Sequence, residues 1–175
     1  MPSKRKHGFS GLMANMFPYL QEGTKNISRK VNGTFHHLFW GYWGWSRVAK
    51  GILKDYRAGR INKPVVLIGH SNGVYAAIKI TNWLDDYNVP VVLVSIDRTL
   101  KPCPQVGNNV VYLMDNHAEL SYVRTGSKFK GVHDVREWKE PRSHRGNWHV
   151  GVAEDPRVHK AIVDMLKENG WLKDD

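Results

Sequence analysis

The sequence predicts an α/β protein, a three-layer sandwich built on a mostly parallel sheet, and three observations predict it. Short runs dense in β-branched residues alternate with stretches of helical periodicity. Two of those runs, residues 65–68 and 89–96, are almost continuously apolar, as strands buried on both faces should be. Between them lies Gly69-His70-Ser71-Asn72-Gly73, a sharp turn that leads from strand directly into helix. Strands alternating with helices imply parallel pairing through helical crossovers.

Residues 8–22 read as a Gly-rich loop entering a helix, with Met13, Met16, Phe17 and Leu20 on one face. Residues 26–31 read as a strand. Residues 45–56 form a helix with Val48, Ile52 and Leu53 inward and Gly59 as its stop. A strand over 65–68 and a helix over about 73–87 follow, then strands at 89–96 and 109–114. The last helix opens on Asp155 as its cap and Pro156 at its first position. Val158, Ile162, Met165 and Leu166 make its buried stripe, and Gly170 stops it. There are no repeats, and the length suits one domain over 1–175, with a basic, flexible tail expected at 1–6.

Composition limits the partners. Lys and Arg number 26 against 16 Asp and Glu, a net charge of +10. An anionic surface is a partner this charge would suit. The basic residues are dispersed, though, and no nucleic-acid motif accompanies them, so specific nucleic-acid binding is not expected. No apolar run approaches the length of a transmembrane helix. The start, Met1-Pro2-Ser3-Lys4-Arg5-Lys6, has no apolar stretch after it and does not read as a signal peptide. The one cysteine, Cys103, excludes an internal disulfide. His36 and His37 are adjacent, so their side chains diverge, and no His-Glu-x-x-His occurs; neither metal nor cofactor is expected.

The turn at 69–73 carries the functional argument. Gly-x-Ser-x-Gly between strand and helix is the nucleophile-elbow pattern, which presents Ser71 at its apex. Side chains at positions 69 and 73 would clash with the neighbouring strand and helix. A serine nucleophile needs a histidine to take its proton and an acid to orient that histidine. Asp97 directly follows the 89–96 strand and is the preferred acid; Asp115, after the 109–114 strand, is the alternative. Of the later histidines, His117, His133, His144, His149 and His159, the best placed is His149, in a loop just before the terminal helix. His144 looks exposed, and His159 reads as a packed or partly exposed helical histidine.

The oxyanion of acyl transfer needs N–H donors. The Asn72 amide, after the nucleophile and at a helix start, is one. The loop His7-Gly8-Phe9-Ser10-Gly11 offers the second, from Phe9 or Ser10, although the strand that should precede it is missing. The aromatic run from Phe35 to Trp45 suits either a packed sheet edge or an apolar acyl-pocket wall, with Trp40, Trp43 and His70 as substrate-binding candidates.

The elbow, the order Ser-Asp-His and the closing helix resemble the α/β-hydrolase superfamily, in a reduced form. "Lys-Pro-Val-Val-Leu-Ile-Gly-His-Ser-Asn-Gly", "Val-Pro-Val-Val-Leu-Val-Ser-Ile-Asp-Arg-Thr" and "Asn-Asn-Val-Val-Tyr-Leu" look like small bacterial and phage lipase- or thioesterase-like proteins. The resemblance implies an Asp-x-Thr acid site at Asp97-Arg98-Thr99, a base at His149, and an ester or thioester substrate. It also implies a soluble protein of the cytoplasm or of a phage-infected host cell. The competing class is a non-catalytic binding protein on the same scaffold, using its basic surface on an anionic membrane or nucleic acid.

Overall fold

A computed structural model of the 175-residue chain describes residues 21–31, 44–98, 105–119, 129, 131–140 and 148–172. The elements run α1 (Gln21–Lys30), α2 (Trp45–Arg57), β1 (Val65–His70), α3 (Gly73–Asp85), β2 (Val91–Ile96), β3 (Val110–Ala118), β4 (Asp134–Trp138), α4 (Trp148–Glu154) and α5 (Pro156–Glu168). The four strands pair in sequence order, β1-β2-β3-β4, and every pair is parallel.

Alternation along the strands builds the three layers. Val65 and Leu67 of β1, Val91 and Leu93 of β2 and Leu113 of β3 pack with α2 and α3 on one face. Val66, Ile68, Val92, Val94, Ile96, Met114 and Ala118 pack on the other face with α1, α4 and α5. Both faces of β1 and β2 are therefore covered, which explains their unbroken apolar sequence. A register shift between Val91 and Val92 leaves Val111 of β3 without a partner, and Val111 is exposed.

Several expectations need correction. Residues 26–31 lie in α1 and its last turn, not in a strand. The buried pair Ile27 and Val31 is four apart, the spacing of one helix face. The part of the proposed 8–22 helix before Gln21 lies outside the described residues. The third strand does not stop at Met114 but continues to Ala118, so Asp115 sits inside β3. Strand β4 was not expected: Asp-Val-Arg-Glu-Trp is an edge strand, with Val135 more than half exposed and no apolar run to reveal it. His149 stands in the short helix α4, not in a loop.

Other expectations agree with the structure. Gly59 and Gly170 adopt left-handed φ values of 67° and 66° after α2 and α5. Asp155 caps α5 by accepting the Arg157 N–H at 2.8 Å, with Pro156 at the first position. Among the described residues no helix is long and apolar enough to cross a membrane.

Candidate active site

The carboxyl ends of β1 and β2 lie side by side, since His70 pairs with Ile96. The next residues, Ser71 and Asp97, thus leave the sheet at equivalent places, about 5 Å apart as neighbouring strands are. The turn at Ser71 is set by contact with α3. A Cβ on Gly69 would stand 2.5 Å from Val74 Cα and 2.7 Å from the Gly73 carbonyl carbon. Both are backbone atoms, so only glycine lets α3 start so close to β1. Ser71 has φ of 56°, left-handed for a residue with a side chain. Its N–H donates to the Ile96 carbonyl at 3.0 Å, and its own carbonyl accepts the Val74 N–H at 3.2 Å. Asn72 returns to right-handed geometry and begins the helix, whose N-terminal dipole favours negative charge.

Asp97 is strained in the same sense, with φ of 41°, and is buried. Its N–H donates to the Asn116 carbonyl at 2.6 Å. One carboxylate oxygen accepts the Ala118 N–H at 3.3 Å; the other lies 2.5 Å from His149 Nδ1. A carboxylate accepts, so Nδ1 of His149 carries a proton and Nε2 is the nitrogen left to act as a base in the neutral ring. Asn116, fully buried, ties this edge together. Its amide donates to the Ser95 carbonyl at 3.3 Å, and its oxygen accepts from the Trp138 indole at 3.1 Å. Neither Asn116 nor Trp138 was singled out from sequence, since only strand register brings them to the site.

The structure brings Asp97 and His149 together and sets Ser71 at the neighbouring strand end. It does not bring Asp115 there: Asp115 pairs with Ser95 and Val135 within the sheet. His117 faces Glu137 at 3.9 Å, and His133 Nδ1 accepts the Leu113 N–H at 3.1 Å. His159, buried in α5, donates from Nε2 to the Ala153 carbonyl at 2.6 Å. Burial lowers its pKa below the usual imidazole value. Phe9, Ser10, Trp40, Trp43, Thr99, Cys103 and His144 lie outside the described residues.

His70 differs from its expected substrate contact. It is wholly buried, and its Nε2 meets the His149 carbonyl at 2.9 Å. Burial first, and the adjacent His149 second, lower its pKa to about 3.

No protein-family model matches the chain, and neither does any curated protein. Solved structures do. A candidate hydrolase of the α/β superfamily from Xanthomonas campestris pv. campestris aligns with a TM-score of 0.52 at 17% identity, over 91% of this chain and 99% of its own. A protein of unknown function from Agrobacterium tumefaciens, described as a candidate α/β hydrolase, aligns with a TM-score of 0.55 at 12% identity, over 100% and 93%. YbtT, a type II thioesterase from the yersiniabactin NRPS/PKS biosynthetic pathway, aligns with a TM-score of 0.55 at 9% identity, over 99% and 98%. Identities this low speak to architecture rather than activity. The parallel sheet, its covering helices and these likenesses establish that the chain has the fold of the α/β-hydrolase superfamily.

Proposed function

We propose that the protein is a serine hydrolase acting on a carboxylic ester or thioester through Ser71, His149 and Asp97. The observation that carries this reading is the buried contact between His149 Nδ1 and the Asp97 carboxylate, at the strand edge where the Ser71 elbow opens. Ser71 Oγ attacks the substrate carbonyl carbon while His149 Nε2 takes the hydroxyl proton. Asp97 keeps the imidazole in the reactive tautomer and balances its positive charge. The Asn72 amide donates to the oxyanion. Collapse of the tetrahedral intermediate breaks the bond to the alcohol or thiol, which leaves with the proton from His149. Water, deprotonated by His149, then releases the acid and restores Ser71.

Exposure to a fluorophosphonate tests the reading, because such reagents phosphonylate activated serines. Stoichiometric labelling mapped to Ser71, and lost in Ser71→Ala, is expected. A folded protein that takes no label would instead favour a binding scaffold. In that case the exposed basic face of α2, Arg47, Lys50, Lys54 and Arg57, is where an anionic partner would be sought.

A further inference from the structure

His70 ends β1, one position before Ser71, yet its ring turns away from solvent entirely. A carbonyl oxygen can only accept, so the 2.9 Å approach of His70 Nε2 to the His149 carbonyl is a donated hydrogen bond. The ring centres of the two histidines are 4.7 Å apart, with planes inclined by 33°. Among the described residues, the titratable groups that act on His70 are His149 from α4 and Asp97 from the end of β2. One residue therefore grips the main chain of His149 and packs against its ring.

Resting on the hydrolase reading above, we infer that His70 is a positioning residue: its Nε2–H pins the backbone of His149 so that the His149 ring stays on Asp97. Burial and its neighbour lower the pKa of His70 to about 3, so its ring is neutral near pH 7. A neutral ring puts no like charge beside the imidazolium that forms on His149 during acylation. His159 provides an internal contrast. It too donates to an α4 carbonyl, that of Ala153, but at the far end of the helix from His149. If holding α4 were all that mattered, the two histidines would be equivalent.

The test compares His70→Phe, which keeps a planar ring without a donor, with His70→Gln, which retains an N–H donor at similar reach. His159→Phe, which removes the other donor to α4, is the control for general effects on that helix. The first readout is the exchange-protected, downfield NMR signal of the His149 Nδ1 proton, which needs no turnover. Wild type and His70→Gln should show it, and His70→Phe should lose it to solvent exchange. The second readout is hydrolysis of p-nitrophenyl acetate. His70→Phe should lower kcat by about 10²-fold, as small misplacements of reacting groups do. KM should stay within about twofold, since ground-state binding is untouched. His70→Gln should recover most of the loss, and His159→Phe should lower the Tm with little change in kcat. Should His70→Phe fail to fold, His70→Asn, whose amide is too short to reach, takes its place with the same expectations.

A protected signal and a kcat indifferent to His70→Phe would overturn the inference, as would an equal kcat loss in His159→Phe. The outcomes also separate this inference from the reading beneath it. If Ser71 labels but the signal ignores His70, only the positioning role falls. If the signal responds but Ser71 takes no fluorophosphonate, the positioning of His149 stands and the hydrolase reading falls.

Discussion

The carboxyl ends of β1 and β2 differ sharply from those of β3 and β4, although all four strands belong to one parallel sheet. At the first pair, two residues with side chains, Ser71 and Asp97, adopt left-handed backbone conformations, and the buried Asp97 carboxylate holds the Ala118 N–H and the His149 ring. Past the second pair, the one left-handed residue with a side chain among those described is Glu140, two positions beyond β4, and it is exposed; near these ends the ring of His117 in β3 faces the exposed Glu137 of β4. Left-handed φ at a non-glycine residue costs of order 1 kcal/mol or more and persists only where surrounding contacts impose it. Among the described residues Asn88 and Glu140 share the left-handed φ but are exposed; the two that are buried, on adjacent strands, are the two in the proposed machinery.

The largest effect should come from the strained pair. Ser71→Ala is expected to lower kcat on a short p-nitrophenyl ester by roughly 10³-fold or more, because triad members act as a unit. The fold should survive, as a thermal melt would show. Near-normal turnover would remove the elbow from the mechanism.

Asp97→Asn and Asp115→Asn set one strand end directly against the other. The first should lower kcat by about 10²–10⁴-fold, since an amide no longer enforces the reactive tautomer of His149. The second alters a side chain within β3 and should change kcat little. Stopped assays on the two purified variants decide it, and the reverse ranking would move the acid to β3.

Gly69→Ala probes the close approach that forms the turn. With backbone atoms within 2.7 Å of the added carbon, strand and helix must separate. Overpacking of this kind costs about 1–3 kcal/mol, so chemical denaturation should show a lower midpoint. An unchanged midpoint would mean that the turn is not held by this contact.

A smaller effect concerns pH and the buried histidines. The unfolded His70 imidazole binds a proton near pH 6.5, whereas the folded ring does so only near 3. The unfolded state therefore takes up more protons between those values, and stability falls as the pH drops through that window. His159, also lowered by burial, acts in the same direction. Melting at pH 7.5 and pH 5 should show a loss in wild type that is reduced in His70→Gln. Equal pH sensitivity in the two proteins would contradict the burial of a neutral His70.

How much of this was legible in the sequence follows the same division. Strands β1 and β2 announce themselves because both faces are covered, and that forces unbroken apolar runs ending abruptly at Ser71 and Asp97. Strand β4 is at the edge and needs no such run, so Asp134–Trp138 left no signal. Residues 26–31 misled because a short stretch containing Ile27 and Val31 fits two periodicities until it is known which face is buried. Asp97 and His149 could be singled out by order and position. The grip of His70 on the His149 carbonyl, 79 residues away, could not, since it depends on how a strand and a helix meet.

The central claim is that Ser71 becomes acylated with help from His149 and Asp97, and intact-protein mass spectrometry after rapid quenching from p-nitrophenyl acetate tests it most directly. The account predicts a transient acetyl adduct that maps to Ser71 and is absent in both Ser71→Ala and His149→Ala. Ester hydrolysis that proceeds with no adduct at Ser71, or an adduct that forms equally well in His149→Ala, would contradict it.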